Sequence, residues 1–204
     1  MQSDIKTWFN VSTQPGPYDG GTMADRIGVL HRFIPLIRGE EQSECPVAQN
    51  MARSLSRLMQ IFKPNYDLRF YKQLSTENVV DCALCKPDNP DLISPEIFEL
   101  GKITGVEHVT PGIAVEKSGR TSGLTRGRVS AIGVTLQVQL TEKETGWFSE
   151  QVVCDINSQP GDSGSLILNS NKKAVGLLFA GSDKYTIFSP IENVCDKLGV
   201  ELIY

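Results

Sequence analysis

Ser163 stands between two glycines in Ser158-Gln159-Pro160-Gly161-Asp162-Ser163-Gly164-Ser165, with a carboxylate just before it and the apolar run Leu166-Ile167-Leu168 just after. Glycine carries no Cβ and tolerates positive φ, so Gly161 and Gly164 permit a tight turn that lifts the Ser163 hydroxyl out of the chain. Such a turn also aims neighbouring N–H groups into one small space, which is what an oxyanion hole for acyl transfer requires. The competing reading is a polar β-turn between two strands, and Gly-Asp-Ser-Gly alone leaves both open. A serine hydroxyl is a weak nucleophile without an adjacent base, so chemistry at Ser163 needs a base and an orienting acid from elsewhere in the chain.

The elements that would position these groups must come from 204 residues, enough for one large domain or two small ones with real cores. A hydrophobic content of 40% with 22% charged residues is that of an ordinary globular protein. The net charge of −4 gives no reason to expect nucleic acid or an anionic membrane as a partner. Met1-Gln2-Ser3-Asp4-Ile5-Lys6 lacks an apolar core of signal-peptide length, and no run of about 18 apolar residues offers a membrane span. The expectation is a cytoplasmic chain. Five cysteines, an odd number, argue against a complete disulfide framework. Cys82 and Cys85 form a lone C-x-x-C that Cys45 might join, but no fourth ligand is evident, so buried thiols are expected and neither a metal nor another cofactor.

Gln14-Pro15-Gly16-Pro17-Tyr18-Asp19-Gly20-Gly21 is loop material, and Arg26–Leu36 beyond it reads as a strand. After an acidic turn (Glu40, Glu41, Glu44), Val47–Phe62 carries Val47, Met51, Leu55, Leu58, Met59 and Phe62 at helical spacing. Pro46 suits the first turn of that helix, and Pro64 marks its end. Leu68–Tyr71 and Val79–Leu84 return to strand character, which places Asp81 inside an apolar strand, and Ile103–Thr110 reads as a connection. The remainder offers seven short strands: Ile113–Lys117, Gly127–Val134, Thr135–Leu140, Trp147–Asp155, Ser165–Asn169, Ala174–Phe179 and Lys184–Ser189. Glycine punctuation at this spacing predicts a closed antiparallel barrel, followed by a short helix over Ile191–Leu198.

Several linked motifs in a fixed order carry a resemblance. Lys117-Ser118-Gly119-Arg120-Thr121-Ser122-Gly123-Leu124-Thr125, Gly161–Ser165, Val175–Ser182, Gln14–Gly21 and Asn78–Ala83 resemble those of a bacterial branch of the trypsin-like serine peptidases. The resemblance implies an all-β, trypsin-like double β-barrel. An incomplete first barrel (residues 1–105) would carry the helix near 47–62 as an insertion, and a complete second barrel (residues 106–204) would end in the short helix. It further implies Ser163 as nucleophile, the N–H groups of Gly161 and Ser163 as the oxyanion hole, and Asp81 as the acid that orients the catalytic histidine, with Asp162 supporting the loop. By the same resemblance Asn157 would fall at the base of the primary pocket, Phe179, Ala180 and Gly181 on its wall, and Arg120 beside the site. Arg120 would either attract an acidic group of the ligand or brace the loop through a carboxylate.

The family's histidine precedes the aspartate, and neither His31 nor His108 falls at that position. The match begins at about Gln14, so the histidine loop and early strands of the family are expected to be missing. The implied function is a serine endopeptidase homologue, impaired as written and acting on polypeptide substrates, with an upstream fragment as a possible source of the strands and the histidine. The alternative is an inactive relative that binds extended peptides or a partner protein.

Overall fold

The computed structural model describes residues 11–13, 20, 22–38, 40–42, 45–63, 68, 70–73, 77–141, 144–182 and 184–204. Most of Gln14–Gly21, together with Glu44, Pro64 and Arg69, falls outside the described residues. The chain divides into two compact units. The first comprises Met1–Pro35, Val79–Leu136 and Phe148–Tyr204, and so joins segments from both sides of residue 105. The second comprises Leu36–Asn78 and Gln137–Trp147.

Strands β1 (Val11–Thr13), β2 (Arg26–Phe33) and β5 (Ala83–Pro87) form a three-stranded antiparallel sheet in the first unit. The second unit holds the antiparallel pair of β3 (Glu40–Gln42) with β4 (Tyr71–Gln73), and between them in the chain helix α1 (Pro46–Phe62). Proline at the first turn and the Lys63 N–H closing on Met59 O bound that helix as the periodicity predicts. Within this unit Asn78 is buried, its Oδ1 accepting from the Ile37 N–H at 2.7 Å and its Nδ2 donating to Ile37 O and Trp147 O.

A larger sheet dominates the first unit. Its members are β8 (Gly105–Val106), β9 (Ala114–Gly119), β10 (Gly123–Gln139), β11 (Thr145–Cys154), β12 (Leu166–Asn169), β13 (Lys173–Gly181) and β14 (Thr186–Pro190). Their order is β12-β9-β10-β11-β14-β13-β8, and β12 pairs with β13 as well as with β9. That second pairing closes six strands into a barrel. Helix α2 (Ile191–Leu198) follows at once.

Successive strand residues point to opposite faces, a rule that Ile167 and Leu168 of β12 follow, while the register irregularity opposite them in β13 lets Val175 and Leu178 share one face. Ile167 and Val175 enter an inner cluster with Val115, Val129, Val152, Cys154, Leu178 and Phe188. Their neighbours Leu168 and Ala174 face an outer cluster with Val80, Cys82, Leu100, Ile103 and the α2 residues Ile191, Val194 and Leu198. Among the described residues no helix is long and apolar enough to cross a membrane.

Two expectations need correction. The separate strands expected at Gly127–Val134 and Thr135–Leu140 are one strand, β10, because Gly133 absorbs the change of direction at φ +65° without ending the ladder. Asp81 lies just outside β5 and not within a strand: Val80 and Cys82 are both buried in the outer cluster, so the backbone there follows the core and not a ladder. The short strands β6 (Glu96–Ile97), β7 (Gly101–Lys102) and β8 have too few residues to show a period.

At Gly176 the barrel tolerates no side chain. A Cβ there would stand 2.0 Å from Phe188 Cδ2 and 2.8 Å from Ser189 O. Gly176→Ala is therefore expected to lower unfolding stability by about 1–3 kcal/mol through overpacking, measured by urea denaturation.

Candidate functional site

Lys117 and Asp162 are the starting point of the site. Both side chains are 0% exposed, and Lys117 Nζ lies 3.1 Å from Asp162 Oδ2. An isolated buried charge is prohibitive, so a pair survives only when its remaining hydrogen-bonding capacity is filled. Here it is filled. Ser122 Oγ donates to Asp162 Oδ2 at 2.6 Å and itself accepts from Lys117 Nζ. The Gln159 N–H donates to Oδ2 at 2.9 Å, and the Thr121 and Ser122 N–H groups donate to Oδ1 at 2.8 and 3.1 Å. Burial alone would raise the Asp162 pKa, but the Ser122 hydroxyl and these N–H donors outweigh it and hold the carboxyl well below the usual carboxylate range. Gly119 completes the cradle, since a Cβ there would meet Asp162 Oδ1 at 2.5 Å and Lys117 Nζ at 2.8 Å.

The cradle fixes the turn that carries Ser163. The Asp162 carbonyl accepts from the Ser165 N–H at 3.0 Å and from Ser165 Oγ at 2.6 Å. The Asp162 N–H donates to Gln159 O, and the Gly164 N–H reaches Leu178 O on β13 at 2.7 Å. Among the described residues, the N–H groups of Gly161 and Ser163 engage no acceptor in the protein. These two are the donors that the family resemblance implies for an oxyanion hole. Gly161 has φ +100°, and a Cβ there would meet the Arg120 guanidinium and Thr121 Oγ1 at 2.6 Å, so only glycine fits. Ser163 is exposed, and its Oγ stands 3.4 Å from Phe179 O on β13.

The remaining sequence candidates are distributed as follows. Phe179, Ala180 and Gly181 end β13, with the Phe179 ring tilted against Phe148 at 4.9 Å. Asn157 is exposed, and its carbonyl accepts from Thr125 Oγ1 at 3.0 Å. The Arg120 guanidinium lies over Gly161 and contacts Thr121 Oγ1 at 3.4 Å.

Asp81 is half-buried. The buried Gln151 anchors its segment by donating from Nε2 to Val79 O at 2.8 Å, while its Oε1 accepts from Ser189 Oγ at 2.9 Å. Burial raises the Asp81 pKa, and among the described residues no hydrogen bond or ion pair reaches its carboxylate. Neither histidine joins these groups: His31 is exposed on β2, and His108 is exposed with Nδ1 2.5 Å from Glu192 Oε1. Cys82 is buried, Cys45 and Cys85 are exposed, and among the described residues no group of three or more His, Cys, Asp or Glu could hold a metal ion.

Reading the sequence assigned no role to Lys117, Gly119 or Ser122. The available signal was a lysine on the strand leading out of Ala114-Val115, where a buried cation demands a buried carboxylate. Removing that cation tests the cradle. Lys117→Met should cost about 3–5 kcal/mol in urea denaturation by stranding Asp162, and adding Asp162→Asn should recover part of the loss.

Asp81 supplies a second test. Its folded pKa is raised, so its ionisation opposes folding: stability should fall as pH rises through the unfolded value near 4 and level off above the folded value. Asp81→Asn should therefore be more stable than the parent at pH 7 and lose this pH dependence in thermal melts.

The family described as Peptidase S7, Flavivirus NS3 serine protease matches residues 133–186, a segment that includes Ser163. No curated protein matches the chain. Among solved structures, Thermobifida fusca protease A aligns with TM-score 0.53 and 20% identity over 66% of this chain and 74% of its own. Nocardiopsis protease aligns with TM-score 0.53 and 18% identity over 67% and 74%. Cellulomonas bogoriensis chymotrypsin aligns with TM-score 0.50 and 21% identity over 69% and 77%. Likeness at these identities establishes the fold: the chain has the chymotrypsin-type fold of the trypsin-like serine peptidases.

Proposed function

We propose that this chain, with its chymotrypsin-type fold, is a serine-type endopeptidase homologue whose nucleophile is Ser163 and whose base must be supplied by another polypeptide segment. The observation that carries the reading is the pair of unspent N–H groups, on Gly161 and Ser163, beside an exposed hydroxyl in a turn where every neighbouring N–H is bonded. Preorganised donors of this kind stabilise the oxyanion of a tetrahedral intermediate without reorganising at the moment of reaction.

In the proposed chemistry an imidazole takes the Ser163 proton as Oγ attacks the substrate carbonyl. The oxygen's charge develops against the Gly161 and Ser163 N–H groups. The imidazolium then protonates the leaving amine, and water hydrolyses the acyl-enzyme. Asp81 would accept a hydrogen bond from the second imidazole nitrogen. An unpartnered, half-buried carboxylate supports that role, because it has acceptor capacity and no donor. His108 does not support the role of base, being engaged with Glu192. The strand Phe179–Gly181 would pair with an extended peptide backbone.

A second reading, an inactive relative that binds extended peptides along the same strand, is favoured by the lack of a histidine beside Ser163 among the described residues. One experiment separates the two. A fluorophosphonate probe is expected to label the chain slowly alone and faster with added imidazole, towards the lower end of the ~10²–10⁴-fold that a general base supplies. Ser163→Ala should not be labelled, and Asp81→Asn should lose most of the imidazole effect. Failure of well-folded protein to label under any of these conditions would leave the peptide-binding reading.

A further inference from the structure

Helix α1 packs by its small residues and leaves its large ones outside. Ala52 and Ser56, one turn apart, are buried, and Ser56 Oγ accepts from the Leu68 N–H at 2.8 Å. Val47, Met51, Leu55 and Ile61 are 67%, 53%, 43% and 73% exposed. At 3.6 residues per turn these four share an arc of about 120° on the helix surface, with Ser54 the polar residue inside it. A helix in a globular protein buries such an arc against its own domain, so an arc left outside marks a contact with something else.

The charge on the helix narrows what that is. Residues 46–63 hold Arg53, Arg57 and Lys63 and no Asp or Glu, although the whole chain carries −4. All three cations are exposed, and among the described residues no hydrogen bond or ion pair reaches their side chains. Around the helix, Arg57 and Arg53 lie about 40° and 80° beyond Ile61, while Ala52 and Ser56 follow Leu55 on the other side of the arc. The arginines thus stand beside the apolar arc and not opposite it. With the arc against an apolar layer, their stems lie along that layer and their guanidinium groups reach its anionic boundary. The 17 residues of α1 span about 25 Å, and no described helix is long and apolar enough to cross a membrane, so α1 is suited to lie along a surface.

We infer that α1 is a docking element for an anionic lipid surface. Val47, Met51, Leu55 and Ile61 enter the boundary of the acyl layer, and Arg53 and Arg57 pair with lipid phosphates. A second copy of the chain fits this face less well. A two-fold contact sets the same patch against itself, and α1 brings no carboxylate to meet the arginines. The inference does not rest on the peptidase reading of Ser163.

The test is vesicle flotation with the full chain, on phosphatidylcholine alone or with about 30% phosphatidylglycerol. Partition onto the anionic vesicles is expected to exceed that onto the neutral ones at least about tenfold at low salt, and to fall severalfold at about 0.5 M salt. Arg53→Gln with Arg57→Gln should lose about tenfold of the anionic binding. Met51→Ser with Leu55→Ser should lose a similar amount through lost insertion, which a purely electrostatic contact would not show. All four side chains are exposed, so both double variants should keep the parent circular dichroism spectrum. If the serine variant fails to fold, the arginine variant decides. Fluorophosphonate labelling of Ser163 should be the same in every variant, which keeps this outcome separate from that of the peptidase reading. Absence of vesicle binding, equal binding to both compositions, or unchanged binding in the arginine variant overturns the inference. A dimer seen by sedimentation and lost in the serine variant, without vesicle binding, would overturn it in favour of a second copy. Retention on polyglutamate that the arginine variant loses, again without vesicle binding, would overturn it in favour of an acidic protein.

Discussion

The Lys117–Asp162 pair is the constraint on which the rest of the site depends. A buried ion pair is a poor source of net stability, because desolvation of two charges offsets most of their attraction. What it supplies is position. Asp162 draws donors from two separate segments, 121–122 and 159, and its main chain reaches Ser165. Once these partners are fixed, the backbone between Gln159 and Ser165 has little freedom left, and the Gly161 and Ser163 N–H groups are the two that the network does not use. The donors left unbonded are thus set by what the carboxylate consumes.

The barrel places this network against its second requirement, a strand edge. Alternation along β12 and β13 sends Ile167 and Val175 inward and Leu168 and Ala174 outward, so both strands are held on two faces. Held in that way, β13 presents Leu178 O to the Gly164 N–H and Phe179 O to Ser163. The register between β13 and β14 is irregular between Leu178 and Ala180, which leaves Phe179 outside the regular pairing. A bulge of this kind re-aims a side chain or a carbonyl next to a site without disturbing the ladder on either side.

Legibility in the sequence followed the range of the forces. The helix at 46–62 and the closing helix at 191–198 were readable because their period is local, and the barrel strands because glycines punctuate them. Gly133 misled the division of β10, since positive φ inside a strand and positive φ in a turn look alike in one dimension. Asp81 was readable as a carboxylate among apolar residues, but its place just outside β5 was not, because Val80 and Cys82 are held by α2 and β12, more than 80 residues away in the chain. The contact of Ser158 Oγ with Thr186 Oγ1, and of Thr186 with Ile156 O, left no trace in the sequence. These three groups come within hydrogen-bonding distance only when β14 returns beside the 156–158 segment.

The two aspartates show why the site reads as one prepared for a partner group. Asp162 is buried and satisfied on every side, and its pKa is driven down; Asp81 is half-buried and unpartnered among the described residues, and its pKa is driven up. The first arrangement is what structural carboxylates come to, since each added donor offsets desolvation. The second is unfavourable as it stands, and the fold invests in maintaining it: the buried Gln151 holds Val79, and the core holds Val80 and Cys82 on either side of Asp81. A rigidly held carboxylate with no donor is a poor device for stability and a good one for receiving a donor. In the proposed chemistry an imidazole N–H would fill that vacancy, and the unspent N–H groups at Gly161 and Ser163 would meet the charge that such an imidazole helps to create.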